Sequence, residues 1–109
     1  RGVAAYSASK GGAIALTRAM AVDFAPQIRA NCICPGSVNT PMLRSAAKLF
    51  SDDADQAVRD WGMMHPLERV AEPAEIAEVI FFLASPQASF ITGSAYLVDG
   101  GLLSVIGGT

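Results

Sequence analysis

Ile28-Arg29-Ala30-Asn31-Cys32-Ile33-Cys34-Pro35-Gly36 is a short run rich in apolar residues that a Pro-Gly pair stops abruptly. From Ile28 to Cys34 its length suits a strand buried on both faces, as in a parallel sheet. Upstream, Ala4 to Ala25 reads as a helix ended by Pro26, with Ile14, Leu16, Met20 and Phe24 as its apolar bulk. Gly11 and Gly12 each cost a helix about 1 kcal/mol relative to alanine. That cost is tolerated where a second backbone or a ligand must come close. Downstream, residues 41–66 are helical in pattern and mixed in polarity, with Ser51 a candidate N-cap for a short helix reaching Trp61. Glu72-Pro73-Ala74-Glu75 has the composition of a helix start, with proline in the first turn and a carboxylate that the dipole favours. Ile76, Val79, Ile80 and Leu83 recur at helical spacing while Phe81 and Phe82 spread apolar surface round the side, so this helix is expected to be buried on more than one face. Ser94 to Val98 forms a second short strand, closed by Asp99-Gly100-Gly101. A strand, a long helical crossover and a second strand make a right-handed parallel unit of an α/β fold. Two strands do not complete such a sheet.

Composition agrees that something is missing. The chain has 109 residues, of which 51% are hydrophobic and 17% charged. That is apolar for a free-standing domain of this size, because small domains have proportionally more surface to keep wet. Burial against polypeptide outside this sequence is therefore expected, and the absence of an initiator Met fits a chain that starts inside something longer. The net charge of −2 provides no basic footprint for nucleic acid or an anionic membrane. The apolar stretches 74–84 and 90–98 are too short or too interrupted to span a bilayer, and no signal peptide is visible.

Cys32 and Cys34, the two cysteines, share one face if their segment is a strand, with Cα atoms roughly 6.6 Å apart. That is near the upper limit of disulfide geometry. Zinc needs four N/S ligands, and the remaining candidate, His65, lies in another segment. Buried reduced thiols are expected, which fits a reducing cytosol. Asp52, Asp53 and Asp55 read as a solvated helix start in preference to a cation site. His65 is read as a lid or surface residue, not a ligand or base, and no metal site is expected.

Tyr6 and Lys10 are four apart, so on a helix they stand one turn apart on the same face. Free tyrosine, with a pKa near 10, exchanges protons poorly at neutral pH. A nearby ammonium stabilises the phenolate and brings the hydroxyl toward acid–base work. Alone, Tyr-x-x-x-Lys arises by chance and describes a surface tyrosine beside a solvated lysine.

The order of the surrounding pieces changes that reading. Tyr6-Ser7-Ala8-Ser9-Lys10-Gly11-Gly12 is followed by Asn31-Cys32-Ile33-Cys34-Pro35-Gly36 and by Ser37-Val38-Asn39-Thr40-Pro41-Met42. Then come Pro66-Leu67-Glu68-Arg69, Pro73-Ala74-Glu75-Ile76-Ala77, Ile91-Thr92-Gly93-Ser94 and Val98-Asp99-Gly100-Gly101. This ordered set, spanning Tyr6 to Gly101, closely resembles the C-terminal part of a single-domain oxidoreductase of the short-chain dehydrogenase/reductase family.

The resemblance implies an α/β fold in which residues 1–109 form the C-terminal portion of a Rossmann-type, doubly wound parallel sheet, the N-terminal half being absent. It implies hydride transfer between NAD or NADP and an alcohol or carbonyl substrate. Tyr6 would be the general acid/base, and Lys10 would assist it and bind the nicotinamide ribose. Pro35, Gly36 and Val38 would form the loop beside the nicotinamide, the Val38 backbone meeting the carboxamide, and Thr40 would offer its hydroxyl to the carboxamide or pyrophosphate. Residues 41–65 would be the substrate lid, with Met42, Leu43, Leu49, Phe50, Trp61, Met63 and Met64 either lining an apolar pocket or packing the lid down. The resemblance also implies a cytoplasmic homodimer or homotetramer. The family's glycine-rich phosphate loop, its catalytic serine, its structural asparagine and the residue that separates NAD from NADP have no match here. The isolated chain is accordingly expected to be inactive. The competing expectation is a non-catalytic remnant or interaction module, which would have no need of the Tyr6–Lys10 pair.

Overall fold

A computed structural model describes residues 3–105. The elements are α1 (Val3–Asp23), β1 (Cys32–Pro35), α2 (Pro41–Phe50), α3 (Ala54–Gly62), α4 (Pro73–Ala84) and β2 (Ala95–Val98), with short 3-10 turns at Pro86–Ala88 and Leu102–Ser104. β1 and β2 form a two-stranded sheet. It is parallel: Cys32 N–H donates to Ser94 O and Gly36 N–H to Val98 O, both strands advancing four residues together. By contacts the chain divides into two compact units, Arg1–Ile33 with Phe81–Tyr96 and Cys34–Ile80 with Leu97–Thr109.

In the first unit, α1 runs 21 residues, about 31 Å, yet only Ala21 of its described residues is buried. Its C-terminal end meets the loop before β2 closely: a Cβ on Gly93 would stand 3.3 Å from that of Ala21, and Gly93 adopts φ +74°. Glycine takes that left-handed conformation at no steric cost. The chain entering β1 is tied to the same loop. Arg29 donates to Ile91 O and Ser85 O, Asn31 donates to Ile91 O and accepts from Ser94 N–H, and Ala30 N–H donates to Thr92 Oγ1.

These bonds explain one departure from the sequence reading. The expected strand 28–34 is replaced by Cys32–Pro35, because residues 29–31 bind the 85–94 segment partly through side chains before a regular ladder begins. Nor are the strands buried on both faces. Cys34 is buried and Pro35 exposed, and β2 alternates between exposed and half-buried positions. Phe81 and Phe82 of α4 and Phe90 are also exposed, while Leu83 alone in α4 is buried. Among the described residues, nothing covers the apolar surface that the composition led one to expect inside.

In the second unit, α2 and α3 pack together around Ala47, Ala57 and Val58, flanked by Leu43, Ala54, Trp61 and Val70. Thr40 caps α2 by accepting from Leu43 N–H, and Pro41 takes the first turn, where its missing donor is harmless. Asp53, not Ser51, caps α3, accepting from Gln56 N–H. Ser51 is already committed to ending α2, its N–H bonded to Ala47 O, while its Oγ accepts from Asp53 N–H. Asp55 pairs with Arg44, so two of the three clustered aspartates have structural partners.

Gly62 ends α3 against the returning backbone; a Cβ there would lie 2.9 Å from Arg69 Cα. Backbone cannot give way as a flexible side chain can. Gly62→Ala is expected to lower stability by about 1–3 kcal/mol, read as an earlier midpoint in urea unfolding with unchanged slope.

Candidate active site

Tyr6 and Lys10 lie on consecutive turns of α1, in the first unit. Helical periodicity brings them to one face, and the Lys10 ammonium stands 5.8 Å from the centre of the Tyr6 ring. Tyr6 is 65% exposed, its ring presented to whatever approaches α1.

Pro35, Gly36, Val38 and Thr40 belong to the second unit, where they line the exit from β1. Several backbone groups here have fixed partners. Gly36 N–H donates to Val98 O, and Ser37 O accepts from Ala71 N–H (2.9 Å). Asn39 N–H donates to Ala71 O (2.8 Å). The Asn39 side chain donates to Glu72 Oε1 and accepts from Arg44 Nε. Together the Ala71 bonds make a one-residue parallel bridge between Val38 and Ala71. In such a bridge the flanking residues carry the bonds, so the N–H and C=O of Val38 itself point the other way. Among the described residues neither has a partner. Thr40 Oγ1 accepts from Leu43 N–H as the helix cap, which leaves its hydroxyl proton free to donate.

His65, read from sequence as a lid or surface residue, is 3% exposed. Nε2 accepts from Ser37 N–H at 3.2 Å, and Nδ1 lies 3.0 Å from Trp61 O and 3.3 Å from Gly62 O. Because an amide N–H only donates and carbonyls only accept, this network assigns the neutral tautomer with its proton on Nδ1. Gly36 has no room for a side chain beside it: a Cβ would fall 3.0 Å from both His65 Nε2 and Asp99 Cα. A lone histidine before a proline carries no sequence signal for such a role.

Asp99, expected to close the second strand, organises the turn after β2. Its carboxylate accepts from Leu103 N–H and Gly101 N–H, at 3.0 and 2.9 Å. These bonds hold the carboxyl below the usual range, the Leu103 bond contributing most, against burial, which pushes it up. Gly100 and Gly101 supply the positive φ values, 58° and 87°, that the turn needs. The Asp-Gly-Gly sequence is the local signal of this turn. Nearby, a cavity of about 400 Å³ is lined by Ser37, His65, Arg69, Glu75, Leu97 and Asp99, among others. Arg69 forms a bidentate pair with Glu75 (2.6 and 2.8 Å), and Glu75 also accepts from Glu72 N–H, closing the start of α4. Both cysteine thiols are free. Among the described residues no cluster of three metal-ligating side chains occurs, and no helix is long and apolar enough to cross a membrane.

A family model described as enoyl-(acyl carrier protein) reductase matches residues 1–103. Oxidoreductase UcpA of Salmonella typhimurium is 41% identical over 102 residues, covering 92% of this chain and 39% of the relative. Dehydrogenase/reductase SDR family member 6 of Aquarana catesbeiana is 42% identical over 97 residues, 88% of this chain and 39% of its own length. Aldohexose dehydrogenase of Thermoplasma acidophilum, in ligand-free form, superposes with a TM-score of 0.90 at 42% identity, covering 95% of this chain and 42% of that one. L-sorbose reductase of Gluconobacter frateurii, complexed with NADPH and L-sorbose, superposes with a TM-score of 0.86 at 32% identity, covering 93% and 41%. The chain thus spans about two fifths of the length of the proteins it matches.

The Arg69–Glu75 pair has a pH signature. The Arg69 guanidinium, followed by the Glu72 N–H, lowers the Glu75 pKa from 4.5 to about 2. A carboxyl whose pKa is lower folded than unfolded stabilises the fold above its unfolded value and loses that contribution as pH falls through the folded one. Water screens this exposed pair, so the contribution is modest. Glu75→Gln is expected to flatten the fall of melting temperature between pH 4.5 and about 2, leaving the slope that Asp99 supplies in the same direction.

Proposed function

Since the chain belongs to the short-chain dehydrogenase/reductase family, we propose that it is the catalytic-tyrosine portion of an NAD(P)-dependent oxidoreductase acting on a small alcohol or carbonyl compound. One observation carries the reading most: Tyr6 and Lys10 share one face of α1, Tyr6 exposed and Lys10 half-buried, with the ammonium over the phenol ring.

A carboxamide offers one carbonyl acceptor and an amide donor. Val38 offers an unpaired N–H and an unpaired C=O, held outward by the Ala71 bridge, which is the complementary set. The fit supports Val38 as the carboxamide partner, with Pro35 and Gly36 shaping the approach and the Thr40 hydroxyl proton available to the same ligand. Lys10 would donate to the ribose hydroxyls. When bound, the dinucleotide gives or takes the hydride.

The remaining work falls to this chain's side chains. In reduction the Tyr6 hydroxyl passes its proton to the substrate oxygen as charge builds there, and in oxidation it removes the proton from the alcohol. The Lys10 ammonium offsets the charge left on the phenol oxygen. Residues 41–65, with exposed Met42, Met63 and Met64, form a lid of flexible apolar side chains that suits a substrate with apolar surface. Phe81 and Phe90, exposed in the first unit, suit burial against further copies of the protein, as in a homodimer or homotetramer.

In the full-length protein, assayed with NADH and NADPH against a panel of small carbonyls that includes sugars, Tyr6→Phe is expected to cut turnover by about a hundredfold or more. Dinucleotide affinity should stay within about twofold, since the ring remains. Undiminished turnover would remove Tyr6 from the mechanism. Failure of the unsubstituted protein to bind either dinucleotide would remove the oxidoreductase reading.

A further inference from the structure

The Ala71 bridge turns the two free backbone groups of Val38 outward, and His65, a buried polar side chain, has no task in the oxidoreductase mechanism described so far. Three anchors fix the backbone around Val38: Val98 O on Gly36 N–H, Ala71 on both sides of the bridge, and His65 on Ser37 N–H. The first two are backbone groups that any sequence would supply. The third is a side chain, and it originates in the lid. His65 lies three residues past the end of α3, and its Nδ1–H is spent on the carbonyls of Trp61 and Gly62, the last turn of that helix. One imidazole therefore bridges the lid's C-terminal end to the residue preceding Val38.

We propose that His65 is a positioning residue that couples the lid to the nicotinamide loop: the neutral imidazole fixes Ser37 N–H, and through it presents the Val38 N–H and C=O to the carboxamide. The inference rests on the proposed cofactor reading. Three details make the imidazole hard to replace. Ser37 N–H sits in a part-buried site where, among the described residues, the imidazole is its one acceptor. A close fit permits no hydrogen at Gly36 Cα to grow into a methyl, since that methyl would meet His65 Nε2 at 3.0 Å. Finally, the ring must present an acceptor on one side and a donor on the other, which an ammonium or a carboxylate cannot do. Asp99, in the turn after β2, is a charged group near the ring; its carboxylate accepts from Gly101 and Leu103 N–H and not from the imidazole.

The test separates positioning from general support of the fold. In the full-length protein, the affinity of whichever dinucleotide binds better is measured by calorimetry beside that of the corresponding ADP-ribose compound, which lacks only the nicotinamide. His65→Leu is expected to weaken the dinucleotide about tenfold, as one lost hydrogen bond implies, and to leave the ADP-ribose compound unchanged. His65→Gln, whose amide oxygen reaches the same position as an acceptor, should recover most of the loss. Equal weakening of both ligands, or of neither, overturns the proposal. Should His65→Leu fail to fold, His65→Gln and nitrogen NMR of the unsubstituted imidazole decide: a proton found on Nε2 overturns it, and a bare Nε2 with near-normal dinucleotide affinity in the glutamine variant upholds it. If the unsubstituted protein binds the dinucleotide no more tightly than the ADP-ribose compound, the nicotinamide loop itself has been misplaced. That outcome fells the cofactor reading of Val38 and this inference together, and is recognisable before any variant is made.

Discussion

A chain leaving a strand must still satisfy its backbone polar groups, and the candidate cofactor loop is organised by how it does so. Past Pro35 the ladder to β2 stops, yet Gly36, Ser37 and Asn39 each find a fixed partner: Val98, His65 with Ala71, and Ala71 again. With its neighbours immobilised on both sides, Val38 has no freedom to turn its own N–H and C=O inward. Two unpaired groups on a rigid loop differ in kind from two unpaired groups on a mobile one. Preorganised donors and acceptors bind without an ordering cost, which is why such loops serve as ligand contacts.

The same economy of backbone contact explains why small residues and turns gather near this loop. Gly36 lies against His65 and Asp99, Gly62 against Arg69, and Gly101 against Pro66, each where a Cβ would intrude within about 3 Å. Asp99 then converts the end of β2 into a tight turn by accepting two N–H groups, and Arg69 with Glu75 fixes the start of α4. Ion pairs of that exposure contribute little to stability. Their geometric effect, setting where α4 departs, matters more than their energy.

The first unit obeys a different constraint. Arg29 and Asn31 bind the backbone of the 85–94 segment through side chains, while α1, apart from Ala21, exposes most of its described length. Leu16, Val22 and Phe24 lie open, as do Phe81 and Phe90. Surface of this kind is rare on a self-sufficient monomer, and the chain spans about two fifths of the length of its relatives. Tyr6 stands on the same exposed helix.

Much of the protein was written in local sequence. Proline and glycine punctuation fixed the element boundaries at Pro41, Pro73 and Asp99-Gly100-Gly101, because those residues restrict or permit backbone angles wherever they occur. The spacing of Tyr6 and Lys10 fixed their common face, because a helix has one period. What the sequence misjudged depended on competition. Ser51 and Asp53 are both good caps, and only the need to end α2 decided between them. Ile28–Asn31 has strand composition, but side-chain bonds to residues 85–94 took its place in the ladder. His65 was illegible altogether: its burial, tautomer and bond to Ser37 join residues 28 positions apart. Local pattern records what a residue does to its own turn of chain, whereas the pairing of a distant donor with a distant acceptor exists only once the tertiary structure has brought them together.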